Sequence, residues 1–154
     1  MAFKAKDVMT RQIVTVREDA SVDEVCELLL RYRISGIPVM NEQGELAGIV
    51  TEYDLLSLLY SAELEPRSVS EVLSPEVVTV DEEEPLIDVA ELFLRKGLRR
   101  LPVVSQGKLT GVISRRDLVR FIRDLRQRLR LELNLRRELR AELASETLHE
   151  QCSH

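Results

Sequence analysis

Histidine is nearly missing from this chain. His149 and His154 both lie at the far end, so the body of the sequence has no imidazole for acid–base work. Cysteine is as scarce. Cys26 and Cys152 stand far apart, with no metal-ligand spacing. No nucleophile–base pair or metal cluster can be read, and an enzyme is not expected. No apolar run is long enough to span a membrane. The start, Met1-Ala-Phe-Lys-Ala-Lys-Asp-Val8, has no apolar signal core. The simplest expectation is a soluble, cytoplasmic protein. A surplus of positive charge is also lacking. With 22 Lys and Arg against 27 Asp and Glu, the net charge of −5 speaks against nucleic acid as the main partner. Tryptophan is absent, yet hydrophobic residues make up 44% of the 154, enough for a core.

What is present is a unit of about fifty residues, written twice. The first copy reads Val8-Met-Thr-Arg-Gln-Ile-Val-Thr-Val16, a helical stretch, Gly36-Ile-Pro-Val-Met40, then Gly48-Ile-Val-Thr-Glu-Tyr-Asp54. The second reads Val72-Leu-Ser-Pro-Glu-Val-Val-Thr-Val80, a helical stretch, Arg100-Leu-Pro-Val-Val104, then Gly111-Val-Ile-Ser-Arg-Arg-Asp117. The offset is 64 as far as Val39 and Val103, and 63 after a one-residue deletion at the Asn41–Gly44 turn. Such a repeat implies two halves about a pseudo-two-fold axis.

Each unit reads as strand, helix, strand, strand, helix. Ile13–Val16 and Val77–Val80 are β-branched runs of strand character. Ser21 with Glu24 has capping-box form, and Val22, Val25, Cys26 and Leu29 follow at helical spacing. Cys26 matches Ala90 of the second copy and reads as a small buried side chain. Pro85 is expected at the first helical position of copy two, ahead of Leu86, Val89, Ala90 and Phe93. Ile37–Met40 and Leu101–Val104 are strands entered through Pro38 and Pro102, each forming a hairpin with the next strand. Second helices begin at Thr51 and Ser114. Ala62–Ser70 is the linker. The expected organisation is 1–65 for the first repeat, 66–124 for the second and 125–154 for a helical extension.

This pattern resembles the cystathionine-β-synthase (CBS) domain, and the tandem pair is similar to a Bateman module. The combination carries the resemblance: Val-Thr-Val, hydrophobic-x-Pro before a strand, and Gly-hydrophobic-hydrophobic-Thr/Ser-x-x-Asp, twice in register over roughly residues 7 to 124. It implies an α+β fold of two pseudo-symmetric repeats packed through their sheets, with a long helix after them. It implies a regulatory module that binds an adenosine-containing ligand, such as AMP, ADP, ATP or S-adenosylmethionine, in clefts between the repeats. It also implies a homodimer whose shape reports occupancy to a regulated partner protein.

The candidate ligand residues follow from that motif. Thr51 and Ser114 stand where a strand gives way to a helix, a place where free N–H groups favour phosphate. The resemblance implies that Asp54 and Asp117 accept hydrogen bonds from ribose hydroxyls. Thr-x-x-Asp and Ser-x-x-Asp also have the form of a helix cap, and the two roles are compatible. Arg99, Arg100 and Arg116 offer phosphate-binding guanidinium groups in copy two. Their other reading is a solvated face paired with the acidic Asp81–Glu84 run. The Asp117 cleft is thus expected to suit a charged nucleotide, and the Asp54 cleft a less anionic ligand or none. Base contacts are expected from the backbone near Val14 and Val78. Ile37 and Leu101 are expected as apolar walls beside Pro38 and Pro102.

Beyond Ser114 the chain is rich in Leu, Arg and Glu, good helix formers. Leu118, Ile122, Leu125, Leu129 and Leu133 form one stripe at helical spacing. Leu135, Leu139 and Leu143 continue on a drifting one. Leu129–Leu135 alternates as a strand would, but both flanks favour helix. A long helix is expected, with apolar groups on more than one face that need a partner. The same helix of a second chain is the simplest one. RNA contact through its arginines is the weaker alternative, because acids are interleaved with them.

Overall fold

The computed structural model describes residues 2–60, 68–74 and 76–153. Residues 62–67 of the expected linker lie outside these. Two three-stranded sheets form, each with one parallel and one antiparallel pairing. The first contains β1 (Val16–Arg17), β2 (Gly36–Met40) and β3 (Leu46–Thr51); the second contains β4 (Val80–Asp81), β5 (Arg100–Ser105) and β6 (Lys108–Ser114). Helix α1 (Val22–Tyr32) joins β1 to β2, and α3 (Leu86–Lys96) joins β4 to β5. A short α2 (Glu52–Leu56) follows β3, and α4 (Arg115–Cys152) follows β6. This is the expected α+β repeat, element for element.

The first strands are shorter than the Val-Thr-Val runs suggest. Pairing begins only at Val16↔Val39 and Val80↔Val103. The register itself gives the reason. Extended backwards, it would set Thr15 beside Pro38 and Thr79 beside Pro102, and proline has no N–H to give a ladder. Residues 13–15 and 77–79 therefore run alongside without strand pairing. Pro38 and Pro102 sit inside their strands, each two residues past the start, and both are fully buried.

Local chemistry sets the helix and turn boundaries. Ser21 Oγ accepts the Glu24 N–H at 3.1 Å, capping α1 as its sequence suggests. Pro85 stands one residue earlier than expected. It occupies the cap of α3 with extended ψ, and the helix starts at Leu86. In the first hairpin Asn41 Oδ1 accepts from the N–H groups of Gln43 and Glu45. In the second, Gln106 and Gly107 both take positive φ, as a two-residue hairpin turn requires.

Each sheet is completed by a segment from the other repeat. Thr10 bridges to Val112 of β6, and Ser74 bridges to Ile49 of β3. Single 3-10 turns precede both residues, at Ala5–Asp7 and Val69–Glu71. Ala5 is wholly buried with Val80, Val89, Leu101, Val103 and Ile113 of the second half. Val69 is wholly buried with Val25, Ile37, Val39 and Val50 of the first. The crossing is close. A Cβ on Gly48 would meet the Ser74 carbonyl oxygen at 2.6 Å, and one on Gly111 would meet Met9 Sδ at 2.5 Å. Any Cβ at either position would force the strap to shift.

Helix α4 runs unbroken for 38 residues. Its Leu129–Leu135 alternation is helical, because neighbouring Leu, Arg and Glu impose their propensity on it. Residues 1–118 form one compact unit and 119–154 another. No helix among the described residues is long and apolar enough to cross a membrane, and none of their His, Cys, Asp and Glu groups could hold a metal ion. Cys26 is half-buried and Cys152 exposed, both as free thiols.

Candidate functional site

The repeats meet at their matching strand starts. Ser35 and Gly36 of the first stand opposite Leu98, Arg99 and Arg100 of the second, around a cavity of about 400 Å³ that Ile49, Thr51, Tyr53 and Arg115 also line. A second cavity of about 330 Å³ adjoins it. It is lined by Arg33, Arg99, Arg100, Arg115 and Arg116, with Ser114 and the one acid Glu52. The two share Ser35, Glu52, Arg99, Arg100 and Arg115. The Arg99 guanidinium carbon lies 5.6 Å from the centre of the Tyr53 ring, a cation–π contact across the repeat boundary.

Arg100 is the least comfortable group here. Its Nε is buried without a hydrogen-bond partner. Burial pushes its ionisation down from the usual arginine range, and the carboxylates of Asp117 and Glu52 push the other way. An unpaired buried donor on a cation is costly, and an anion in the cleft would satisfy it.

The hydroxyl–aspartate motif is built as a helix cap in both copies. Asp54 Oδ2 accepts from the Thr51 N–H at 2.7 Å and from Thr51 Oγ1 at 3.0 Å, while Thr51 Oγ1 accepts the Asp54 N–H at 3.3 Å. Ser114 and Asp117 repeat this at 2.7, 2.9 and 3.2 Å. The strap hydroxyls reach the other carboxylate oxygens. Ser74 Oγ donates to Asp54 Oδ1 at 2.9 Å, and Thr10 Oγ1 stands 3.5 Å from Asp117 Oδ1. Further on, the Glu52 N–H is held by the Ser35 carbonyl and the Arg115 N–H by the Arg99 carbonyl. Most helix-start amides thus already have acceptors. The expectation of free N–H groups for phosphate is corrected: the positive charge at this site comes from guanidinium groups.

Of the sequence-derived candidates, Thr51, Arg99, Arg100, Ser114 and Arg116 line these cavities. Asp54 and Asp117 stand behind them in the caps. Ile37 and Leu101 are wholly buried in the two cores with Pro38 and Pro102, and the apolar lining comes from Ile49, Leu98 and Tyr53 instead. Val14 and Val78 are half-buried and pack against the cores. The acidic run does not take the arginines: Glu83 pairs with Lys4 and Lys6. Arg33 is the residue that sequence reasoning missed. It closes α1 in the left-handed region at φ 52°, where the second copy has Gly97 at φ 60°. A bulky residue held where glycine is favoured, beside a cleft, is the signal that could have found it.

A model of the CBS domain matches residues 5–61 and again 69–124. The chain belongs to the CBS domain family. Its CBS pair resembles that of CBSX2 from Arabidopsis thaliana, solved in complex with AMP, at 32% identity and a TM-score of 0.75, covering 80% of this chain and 98% of that one. It also resembles the CBS domain pair of protein MJ0100, solved with 5′-methylthioadenosine and S-adenosyl-L-methionine, at 25% identity and a TM-score of 0.69, covering 78% and 99%. Among curated sequences, the uncharacterised protein MJ1225 of Methanocaldococcus jannaschii is 32% identical over 117 residues, 76% of this chain. This chain spans only 42% of that relative's length.

Proposed function

We propose that the CBS pair is a sensing module for an adenosine-containing nucleotide of the AMP, ADP or ATP class, held in the cleft between the repeats. The observation that carries this is the five-arginine lining, which includes Arg100 with its buried and unpartnered Nε. Forked cationic donors converging on a cavity suit phosphate oxygens. The AMP carried by CBSX2 supports the adenosine half of the reading. The unladdered backbone at residues 13–15 and 77–79 supports base recognition near Val14 and Val78. The pair works by binding and not by catalysis, in the cytoplasm, as a homodimer. Ligand shifts its arrangement by favouring one state over another, and a partner protein reads the change. S-adenosylmethionine, as carried by MJ0100, is the less anionic alternative.

A ligand-free docking scaffold is the second reading. The completed caps favour it, since they account for both hydroxyl–aspartate pairs without a ligand. Calorimetry and melting with AMP, ADP, ATP and S-adenosylmethionine separate the two. A ligand about a hundredfold above its Kd stabilises by about 2.7 kcal/mol, a rise of several degrees for a domain of this size. Arg100→Ala is expected to weaken nucleotide binding at least tenfold. Absence of heat and of any melting shift with every ligand leaves the scaffold.

A further inference from the structure

The geometry of α4 points to a second copy of this chain as its partner, running antiparallel, with Asn134 at the centre of the pair. This rests on the reading that the helix is where two copies meet, and it specifies how they meet. Ile122, Leu129, Leu139 and Leu143 are 48–62% exposed, and Leu125 is half-buried. These five fall at alternating four- and three-residue steps once Glu132 and Arg136 are included in the series. That is a heptad seam with one charged layer in its middle. Glu132 and Arg136 already touch within one helix, at 3.3 Å.

The charged layer decides direction and register. A parallel pair would set Glu132 against Glu132 and Arg136 against Arg136, all facing inward. An antiparallel pair centred on Asn134 sets each Glu132 against the other copy's Arg136. It also sets Leu129 against Leu139 and Leu125 against Leu143. Sliding by one heptad either way would put both Glu132 and Arg136 against leucines in the middle of the seam, whereas the proposed register sets a charge against an apolar residue only in its outermost layer, Glu146 against Ile122. Beside the centre, Leu133 meets Leu133 and Leu135 meets Leu135. The leucines that leave the main stripe thereby cover the polar layer. On the same flank as Leu135, Arg128 meets Glu142. The opposite flank sets Arg126 against Arg140, the one like-charged contact. A polar layer costs stability in a helix pair and fixes its register.

The test uses the full chain with Cys26→Ala and Cys152→Ser. Arg128→Cys and Glu142→Cys are made in separate batches, mixed and oxidised, with the mass read by sedimentation beforehand. The expected result is a dimer in which the mixed disulfide predominates and each batch alone cross-links poorly. A dimer in which Arg128→Cys joins to itself overturns the antiparallel arrangement while leaving self-association intact. A dimer that forms no cross-link in any mixture places the contact elsewhere and also overturns it. A monomer overturns both the arrangement and the reading beneath it.

Discussion

The two repeats share a scaffold and differ where they face each other. Thr51 and Ser114, Asp54 and Asp117, Pro38 and Pro102, Gly48 and Gly111 occupy matching positions, and each pair does the same structural task in its own half. The differences gather at the cleft. The first copy has Ser35, Gly36, Glu52 and Tyr53 where the second has Arg99, Arg100, Arg115 and Arg116. At the end of the first helix the exchange runs the other way, with Arg33 against Gly97. Duplication preserved what a strap, cap or buried strand needs. What diverged is the charge that meets a ligand.

The strap glycines can break this equivalence most sharply. Beneath Gly48 the obstacle is the Ser74 carbonyl, which is backbone; beneath Gly111 it is the Met9 side chain, which can move. Gly48→Ala is expected to cost about 3 kcal/mol and Gly111→Ala about 1 kcal/mol, within the range for overpacked sites. Urea unfolding of the two variants measures the gap, and equal costs would deny that the strap backbone is fixed. A smaller effect is expected at Arg33. Arg33→Gly relieves a left-handed arginine and is expected to stabilise the chain by about 0.5–1 kcal/mol. The same variant should bind an anionic nucleotide more weakly. A gain in melting temperature with unchanged affinity would place Arg33 outside the site.

The smallest effect concerns the strap in the second half. Hydrogen bonds from Lys4 and Lys6 hold the Glu83 carboxyl at about 2, below its usual 4.5. A depressed carboxyl contributes stability above the unfolded value and loses it as pH falls through the folded one. The parent chain should therefore lose a small increment between pH 4.5 and 2 that Glu83→Gln does not. Salt should shrink this increment, because the pair is exposed. Acid titration of both chains at low and high salt checks it.

Much of this was legible in the chain itself. The repeat, its element order, the Ser21 cap and both hairpins follow from periodicity and turn chemistry, while the arginine-bearing cleft was implied by the resemblance to the CBS domain. The shortened first strands did not, because the cause is a neighbour: Pro38 and Pro102 cannot complete a ladder with Thr15 and Thr79. The exchange of straps was hidden by the repetition. Thr10 and Ser74 occupy matching places in the two copies, so no local pattern says which sheet each one joins. Ile37 and Leu101 were hard to place for a similar reason. An apolar residue beside a ligand motif suits a pocket wall or a core equally well until the pleat of the strand decides.

The exchanged straps also bear on how the chain is made. When a ribosome has finished the first sheet, its interior still lacks Val69, which has yet to be synthesised. Ala5, already made, has nowhere to go until the second sheet exists. Neither half can close alone: the first interior seals only once Val69, Val72 and Leu73 have emerged, and the second waits for nearly all of residues 1–118. A fragment cut between the repeats would carry a gap in one core and a loose apolar end from the other.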